Sequence, residues 1–241
     1  MNTTTALHAA TATPASPKSG ARACNGHAVK DTSGTSLSEL CSLLGFPAIA
    51  GDDDMRFLRR RVKAGQWVYA TSEPLDAVYA VFAGSVKTLL IDPAGNEQIL
   101  GFPQKGDLLG MDGIFANRHA SHAIALTDCE LIVIPFNELS QRGSAATSLE
   151  NWLFRATSRE LSREHSLVGL LGTLSADARV ARFLVSLSER FAAAGYSPQS
   201  FRLAMTRKDI GNYLGLTLET ASRTLSALDA AGYISVDQRE V

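Results

Sequence analysis

The stretch "TRKDIGNYLGLTLETASRTLSALDAAGYI", residues 206–234, carries the local signals that decide the fold. Thr206 is typical of a helix N-cap, and Gly215 supplies the turn that follows such a helix. Thr217 predicts the start of a second helix, which continues to about Ala230. A helix, a short turn and a second helix form the helix-turn-helix motif, so the sequence predicts a DNA-binding surface here.

The second predicted helix has one apolar and one polar face at about 100° per residue. Its apolar residues are Leu218, Ala221, Leu225 and Leu228, and its polar residues are Glu219, Ser222, Arg223 and Ser226. Arginine can donate a fork of hydrogen bonds to guanine, and glutamate can accept one from the cytosine amino group. The pattern predicts that Glu219 and Arg223, four residues apart, read one G·C pair or adjacent pairs, with a merely solvated polar face as the alternative. Residues predicted to contact phosphate or to support base reading are Arg202, Thr206, Arg207, Lys208, Thr217, Thr220 and Ser226.

Composition limits the class of protein. The 241 residues carry a formal net charge of -1, so DNA binding has to come from a local patch. No apolar run approaches the roughly 18 residues of a membrane span, and no signal-peptide pattern is found. The three cysteines do not form the even set of a secreted disulfide framework. Without a phosphate-binding loop or a nucleophile elbow, the sequence predicts a cytoplasmic protein that is not an enzyme.

Changes in composition along the chain divide it into four segments. Residues 1–35 are rich in Thr, Ala, Ser, Gly and Pro and are predicted to form a flexible arm. Residues 36–147 contain short apolar runs separated by turn formers, which predicts a compact antiparallel sandwich or barrel. A helical period predicts a long helix over 148–172, and residues 173–241 hold the helix-turn-helix.

The predicted long helix carries a narrow apolar stripe. Its members are Leu153, Leu161, Val168 and Leu171, and Glu164 lies beside them. A helix of this length exceeds what one small sheet domain can cover, so the stripe predicts the seam of a two-fold dimer. In such a dimer the two copies of Glu164 would repel each other. The alternative is a helix packed only on its own barrel.

Two stretches, "GDLLGMDGIF" and "FRLAMTRKDIGNYLGLTLETASRTLSAL", closely resemble the Crp/Fnr superfamily, nearest its Fnr branch of oxygen-responsive regulators. The resemblance spans roughly Leu37–Ile234 and implies an α+β fold. In that family an N-terminal double-stranded β-helix, a β-roll of the cyclic-nucleotide-binding type, is joined by a long dimerisation helix to a C-terminal winged helix-turn-helix. The wing that follows Ile234, in "YISVDQREV", is expected to be short.

The resemblance also implies partners. The family's E-x-x-S-R reading motif falls on Glu219, Ser222 and Arg223. This match implies that a homodimer binds double-stranded DNA at a palindromic operator with TTGAT-type half-sites. RNA polymerase is a further expected partner, and no membrane partner is expected.

One signal that the resemblance suggests is a cyclic nucleotide. Its binding by this fold requires a Glu for the ribose and an Arg for the cyclic phosphate. The corresponding positions hold Met111 and Ser121. A buried phosphate without these partners would be left unpaired at a large cost in free energy, so we expect no cAMP binding.

Fnr proteins instead hold an oxygen-labile four-iron cluster on three N-terminal cysteines and a fourth in the β-roll. Cys41 and Cys129 match the last two positions, but Thr32 and Thr35 occupy the two earlier ones. The set of thiolate ligands for a 4Fe-4S cluster is therefore incomplete. Cys24 lies upstream in the arm, so a cluster built on Cys24, Cys41, Cys129 and a non-cysteine ligand stays open as an alternative. We therefore predict a redox input through Cys41 and Cys129 without a stable cluster.

Three further alternatives stay open. Cys129 is as well explained as a buried small hydrophobic residue, because free cysteines are often buried. A second alternative is a regulator of the same family that responds to a small ligand and not to redox state. A third is a β-roll protein that binds a metal or ligand and uses its helix-turn-helix for protein contact.

Overall fold

The computed structural model describes residues 30–47, 55–136, 143–237 and 239–241, with side chains from residue 34 onward and, in the long helix, from residue 154 onward. Most of the predicted arm, residues 1–29, lies outside the described residues. Residues 30–35 of the arm, together with Ser36, form strand β1, Lys30–Ser36, which pairs antiparallel with strand β2, Arg56–Val62. The polar composition of this segment did not predict a strand, because the strand forms by pairing with β2.

Seven further strands follow in the described residues. They are β3 (Trp67–Tyr69), β4 (Ala77–Ala83), β5 (Val86–Ile91), β6 (Glu97–Gly101), β7 (Leu108–Leu109), β8 (His122–Ala125) and β9 (Cys129–Pro135). One sheet has the order β1-β2-β9-β4-β7 and the other the order β3-β8-β5-β6, with antiparallel pairing between neighbours. Apolar residues that alternate along the strands fill the space between the sheets, as expected for strands with one buried face. These strands form the β-roll.

The α-helices are α1 (Leu37–Leu43), α2 (Gly143–Thr173), α3 (Ala176–Ala193), α4 (Arg207–Tyr213) and α5 (Leu218–Ala230). Helix α1 begins at a capping box formed by Ser36 and Glu39. Helix α2 begins at residue 143, inside the segment that the sequence assigns to the β-roll. Its first residues, "GSAAT", have no apolar period, but alanine is a strong helix former.

The apolar core is continuous from the β-roll into the C-terminal helices. One cluster packs α1 on β4 and β9 and includes Leu40 and Ile134. Another joins Ile99 of β6 to Phe183 of α3 and Leu225 of α5. Burial of this shared apolar surface holds the C-terminal helices against the β-roll.

The chain after α5 returns to the segment that precedes α4. Phe201 and Val241 exchange two backbone hydrogen bonds, at 2.9 and 3.0 Å. Asp237 and Glu240 also exchange two, at 3.1 and 2.8 Å, which closes a tight turn. These bonds place a small hairpin beside α4, at the position of the expected wing.

The predicted fold class is confirmed: an N-terminal β-sheet domain, a long helix and a C-terminal helix-turn-helix follow one another in an α+β chain. Among the described helices, none combines the length and apolar character of a bilayer-spanning segment.

Candidate nucleic-acid interface

The first helix of the helix-turn-helix, α4, is fixed at its start by a capping box. The Thr206 hydroxyl accepts a hydrogen bond from the Asp209 N–H at 3.1 Å, and the Asp209 carboxylate accepts one from the Thr206 N–H at 2.9 Å. The Thr206 hydroxyl also donates to this carboxylate at 2.6 Å. Thr206, predicted to support DNA binding, therefore orients α4 and has its hydroxyl occupied within the protein.

The turn between α4 and α5 requires two glycines for different reasons. Gly215 has a φ of +63°, in the left-handed region that favours glycine. Gly211 lies where α4 crosses the turn: a Cβ atom there would be 3.0 Å from the Leu216 carbonyl oxygen and 3.1 Å from that of Thr217. This close approach fixes the angle between the two helices.

Helix α5 begins at Thr217, whose hydroxyl accepts from the Thr220 N–H at 3.1 Å. The two threonine hydroxyls also lie 2.9 Å apart. Both predicted supporting residues therefore act on the start of α5, where the cap satisfies a free backbone N–H. A fixed start to the helix defines the direction in which its exposed face points.

The buried face of α5 differs from the predicted one. Ala221 and Leu225 are buried as expected, but Leu218 is 53% exposed. Thr224 is buried in its place, and its hydroxyl donates to the Asp177 carboxylate of α3 at 3.0 Å. The buried arc is therefore centred closer to Thr224, which leaves Leu218 at its edge. Because threonine is polar, the sequence did not predict that this side chain would be buried.

The opposite face of α5 presents Glu219 and Arg223 to solvent. Their side chains are 76% and 73% exposed and form an ion pair of 3.1 Å, one helical turn apart. Exposed pairs of this kind contribute only about 0–1 kcal/mol, so Arg223 can exchange Glu219 for a base at little cost. Ser222 lies half-buried beside them, and Ser226 is exposed.

The basic residues predicted to contact phosphate differ in exposure. Lys208 is exposed and Arg207 is half-buried, both in the first turn of α4. Arg202 is exposed and lies 4.0 Å from Glu240 in the C-terminal hairpin. A flexible, exposed ammonium such as that of Lys208 suits a phosphate contact that carries no sequence information.

Arg179 of α3 is a structural residue that the sequence did not reveal. Its guanidinium donates to the carbonyls of Leu171 at 2.6 Å, Leu174 at 2.9 Å and Leu214 at 3.1 Å. It thereby joins the end of α2 to the end of α4. A lone arginine in an amphipathic helix does not indicate such a role, because its acceptors are backbone carbonyls, which any residue type carries, and one of them is 35 residues away.

The side chains of helix α2 lie on two faces with different contacts. Arg159 and Arg163 bond to their own β-roll, whereas Phe154, Leu161 and Val168 are 82%, 50% and 68% exposed at heptad spacing. Of the other predicted seam residues, Leu171 is half-buried and Glu164 exposed, and the side chain of Leu153 lies outside the described residues. Phe154 belongs to the stripe although the sequence prediction omitted it.

The two described cysteines lie in separate parts of the core. Cys41 is buried in the cluster under α1, and Cys129 in the cluster between the sheets. The Cys129 thiol donates to the carbonyls of Ser85 and Thr127, both at 3.2 Å, and burial raises its pKa. Cys24 lies outside the described residues. Within the described residues, no group of three or more His, Cys, Asp or Glu side chains could hold a metal ion.

Met111 and Ser121, the positions expected to decide cyclic-nucleotide binding, line one cavity of about 270 Å³. Tyr69 of the β-roll and Leu161 of α2 line it as well. Ser121 is buried, and neither position offers a formal charge.

The fold and the exposed face of α5 together define a class of protein, the transcription regulators that join a sensor β-roll to a helix-turn-helix. Residues 59–142 match the cyclic nucleotide-binding domain family, and residues 178–241 match the Crp-like helix-turn-helix domain.

Individual relatives agree with this class. The chain is 42% identical over 207 residues to the transcriptional regulatory protein btr of Bordetella pertussis, which covers 85% of this chain and 86% of that protein. It is 36% identical over 208 residues to the anaerobic regulatory protein of Pasteurella multocida, which covers 86% of this chain and 76% of that protein. The solved structure of FixK2 from Bradyrhizobium japonicum is similar with a TM-score of 0.68 and 30% identity, over 78% of this chain and 92% of that one. The chain therefore belongs to the Crp/Fnr family of DNA-binding transcription regulators, and it is not an enzyme.

Proposed function

We propose that the protein binds a palindromic operator as a two-fold homodimer and reads bases with Glu219, Ser222 and Arg223. The observation that carries the proposal is the exposed Arg223 and Glu219 pair on a helix whose opposite face is buried. A TTGAT-type half-site contains one G·C pair, which offers guanine to Arg223 and the cytosine amino group to Glu219. In the helix-turn-helix the second helix enters the major groove, so these side chains would face base edges.

Fluorescence anisotropy with a TTGAT-type palindrome and a scrambled duplex tests this proposal. Affinity for both duplexes should fall as salt rises, because phosphate contacts release counterions. The palindrome should bind about 10³-fold more tightly or better, the lower end for specific DNA recognition. Equal affinity for the two duplexes would contradict base reading. Failure to bind either duplex would support the alternative in which the motif contacts protein.

The homodimer is proposed from the exposed stripe on α2. Phe154, Leu161 and Val168 present apolar surface at the spacing of a coiled-coil seam, whereas the arginines of the opposite face bond to the β-roll. A two-fold dimer would bury this stripe and place two copies of α5 on the two halves of a palindrome. Sedimentation velocity on the full chain measures the predicted dimer directly.

RNA polymerase is proposed as a further partner on family membership alone. A regulator that binds an operator must act on transcription through the polymerase or by excluding it. In vitro transcription from a promoter that carries the palindrome would distinguish the two outcomes, because activation raises the transcript yield and exclusion lowers it.

We further propose that the protein responds to oxygen or redox state. The support is its similarity to the anaerobic regulatory protein and the match of Cys41 and Cys129 to family positions. The described geometry does not favour a disulfide between these thiols, because they lie in separate buried clusters. Burial also keeps Cys129 as a thiol, and the thiolate is the reactive form. A redox input through these cysteines therefore needs each thiol to react separately. We propose this input without a stable four-iron centre.

The test is to purify the protein without oxygen, assay iron and sulfide, and compare operator binding before and after air. Near-stoichiometric iron with a visible band bleached by air would contradict the absence of a stable cluster. The redox proposal itself requires that air change operator binding and that Cys41→Ser or Cys129→Ser reduce this change. Operator binding that is unchanged by air and by both substitutions would contradict the redox proposal.

A small-ligand response is the second candidate, and one observation favours it. The cavity lined by Met111 and Ser121 borders α2 at Leu161, which lies on the exposed stripe. A ligand there would reach the seam proposed for the dimer. Operator binding that changes with a cell extract of small molecules, but not with air, would favour this candidate.

A further inference from the structure

A second cavity, of about 740 Å³, lies where the β-roll, α2 and α3 meet. Its volume lies within the range of about 300–1,000 Å³ for small-molecule sites. The cationic side chains that line it are Arg59, Lys105, Arg159, Arg163 and Arg190. The carboxylates that line it are Glu39 and Asp107. Positive side chains are therefore in excess around this space, which we call the junction cavity.

Both carboxylates of the junction cavity are already engaged. Asp107 is buried and accepts from Arg163 of α2 at 2.6 Å and from Arg190 of α3. Burial alone would raise the pKa of Asp107, but Arg190 and Arg163 outweigh it and hold the pKa below its usual value. Glu39 accepts from the Ser36 N–H at 2.9 Å in the capping box of α1. Neither carboxylate is within salt-bridge distance of Arg159.

Arg159 is a cation of the cavity that these carboxylates leave without an anionic partner. Its guanidinium donates to the Leu44 carbonyl at 3.3 Å and the Gly106 carbonyl at 3.2 Å, and its buried Nε has no hydrogen-bond partner. Among the described residues it forms no ion pair. Burial lowers the pKa of Arg159, and the positive charge of Arg163 lowers it further. An added anion would stabilise a partly buried guanidinium that has no ion pair and an unbonded Nε.

Two other cations at the cavity, Arg59 and Lys105, differ in whether they already form an ion pair. Arg59 pairs with Glu130 at 3.6 Å and stacks over Phe82. Lys105 donates to the Ala194 carbonyl at 3.3 Å, a neutral acceptor at the end of α3. An anion in the cavity could therefore recruit Lys105 as well as Arg159 without breaking an existing ion pair.

We propose that the junction cavity binds a small oxyanion with two or more negative charges, held by Arg159 and Lys105. Guanidinium groups bind phosphate and carboxylate oxygens through paired, charge-assisted hydrogen bonds, which is the chemistry that this lining offers. The bound oxyanion would bridge α2, which carries Arg159, to the loop of Lys105 that contacts the end of α3. The site thus joins the sensor to the DNA-binding region. It does not depend on the proposed operator, and its test uses no DNA.

Isothermal titration calorimetry on the full chain tests the site with inorganic pyrophosphate, inorganic phosphate and succinate, each at constant ionic strength. We expect saturable binding of pyrophosphate to one site per protomer. Arg159→Gln should weaken it about tenfold or more, because hydrogen bonds to charged groups contribute about 1.5–3 kcal/mol. Tighter binding of succinate than of pyrophosphate would identify a dicarboxylate rather than a phosphate as the source of the oxyanion, and would still support the site.

Arg155→Gln is the matched control, since Arg155 lies one turn earlier on α2 and is exposed. It should bind pyrophosphate as the unmodified chain does. If Arg159→Gln does not fold, Lys105→Gln provides the second variant and should also weaken binding. The proposal is wrong if no anion binds saturably, or if the cavity variants and Arg155→Gln bind equally well.

Discussion

The ammonium of Lys87 in the β-roll lies 2.9 Å from the carboxylate of Asp209 in helix α4. Both side chains are largely buried. Burial alone would raise the pKa of Asp209, but hydrogen bonds from Thr206 and the charge and hydrogen bond of Lys87 hold it below its usual value. The carboxylate that caps the first helix of the helix-turn-helix therefore also joins that helix to the β-roll.

Asn212 adds a second connection between the same parts. Its side chain accepts from the Ile99 N–H at 2.6 Å and donates to the Glu97 carbonyl at 2.5 Å, so α4 pairs with the edge of strand β6. Bonds to backbone groups of an edge strand also satisfy polar atoms that would otherwise face solvent. The position of the helix-turn-helix is thus set by polar contacts as well as by the shared apolar core.

Replacing Lys87 by Met should lower the free energy of unfolding by about 1–3 kcal/mol, because it leaves the buried Asp209 with fewer partners. Lys63→Met is the control: it breaks a pair of 2.6 Å with Asp128, but both side chains are exposed. This exposed pair should contribute about 0–1 kcal/mol. Urea denaturation measures both values. Equal losses in the two variants would show that the Lys87 contact does not support the fold.

Replacing Gly211 by Ala should destabilise the helix-turn-helix by about 1–3 kcal/mol, the usual range for overpacking. The added methyl group would meet two backbone carbonyls that cannot rotate away. Gly169→Ala in α2 is the matched change, since nothing lies within 4 Å of the added carbon. It should stabilise the helix by about 0.5–1 kcal/mol. Thermal denaturation followed by circular dichroism would contradict this account if both variants changed stability in the same direction.

Replacing Leu161 by Asp should convert the dimer to a monomer and abolish operator binding, because a single half-site contributes too little affinity. Ser162→Asp places the same charge on a neighbouring exposed residue off the stripe and should remain dimeric. Glu164→Ala should strengthen the dimer by removing a repulsion between the two copies. Sedimentation velocity that shows an unchanged dimer for Leu161→Asp would place the seam elsewhere.

Cyclic AMP should neither bind nor alter operator affinity. Met111 and Ser121 occupy the two positions expected to decide cyclic-nucleotide binding, and neither can pair with a phosphate or bond a ribose as a carboxylate does. Calorimetry with millimolar cAMP detects binding even when DNA affinity does not change. A saturable heat would show that other side chains replace the missing charges.

The helix-turn-helix could be predicted from the sequence because its signals are local. The caps at Thr206 and Thr217 and the turn at Gly215 each act within a few residues, and the structure places them as expected. The strands of the β-roll were also indicated by short apolar runs between turn formers. Their pairing order was not, because register and neighbours depend on contacts between distant segments.

The contacts that connect the parts could not be predicted. Lys87 and Asp209 are 122 residues apart in the sequence, and each alone resembles an ordinary exposed charge. Thr224 is polar, as residues of an exposed face usually are, but it is buried and forms a hydrogen bond with Asp177. Strand β1 has no apolar alternation of its own and is ordered by β2. In each case the partner, and not the residue type, determines the role.

The central claim, that α5 reads DNA bases, is tested most directly by Arg223→Ala beside Lys208→Ala in anisotropy titrations with palindromic and scrambled duplexes. Loss of the guanidinium should remove about 1–3 kcal/mol of discrimination per half-site, because a bidentate contact to guanine is lost. Loss of the Lys208 ammonium should weaken binding to both duplexes alike and reduce the salt dependence. The account predicts that Arg223→Ala binds the two duplexes with nearly equal affinity while Lys208→Ala still prefers the palindrome. An unchanged preference for the palindrome in Arg223→Ala would contradict it.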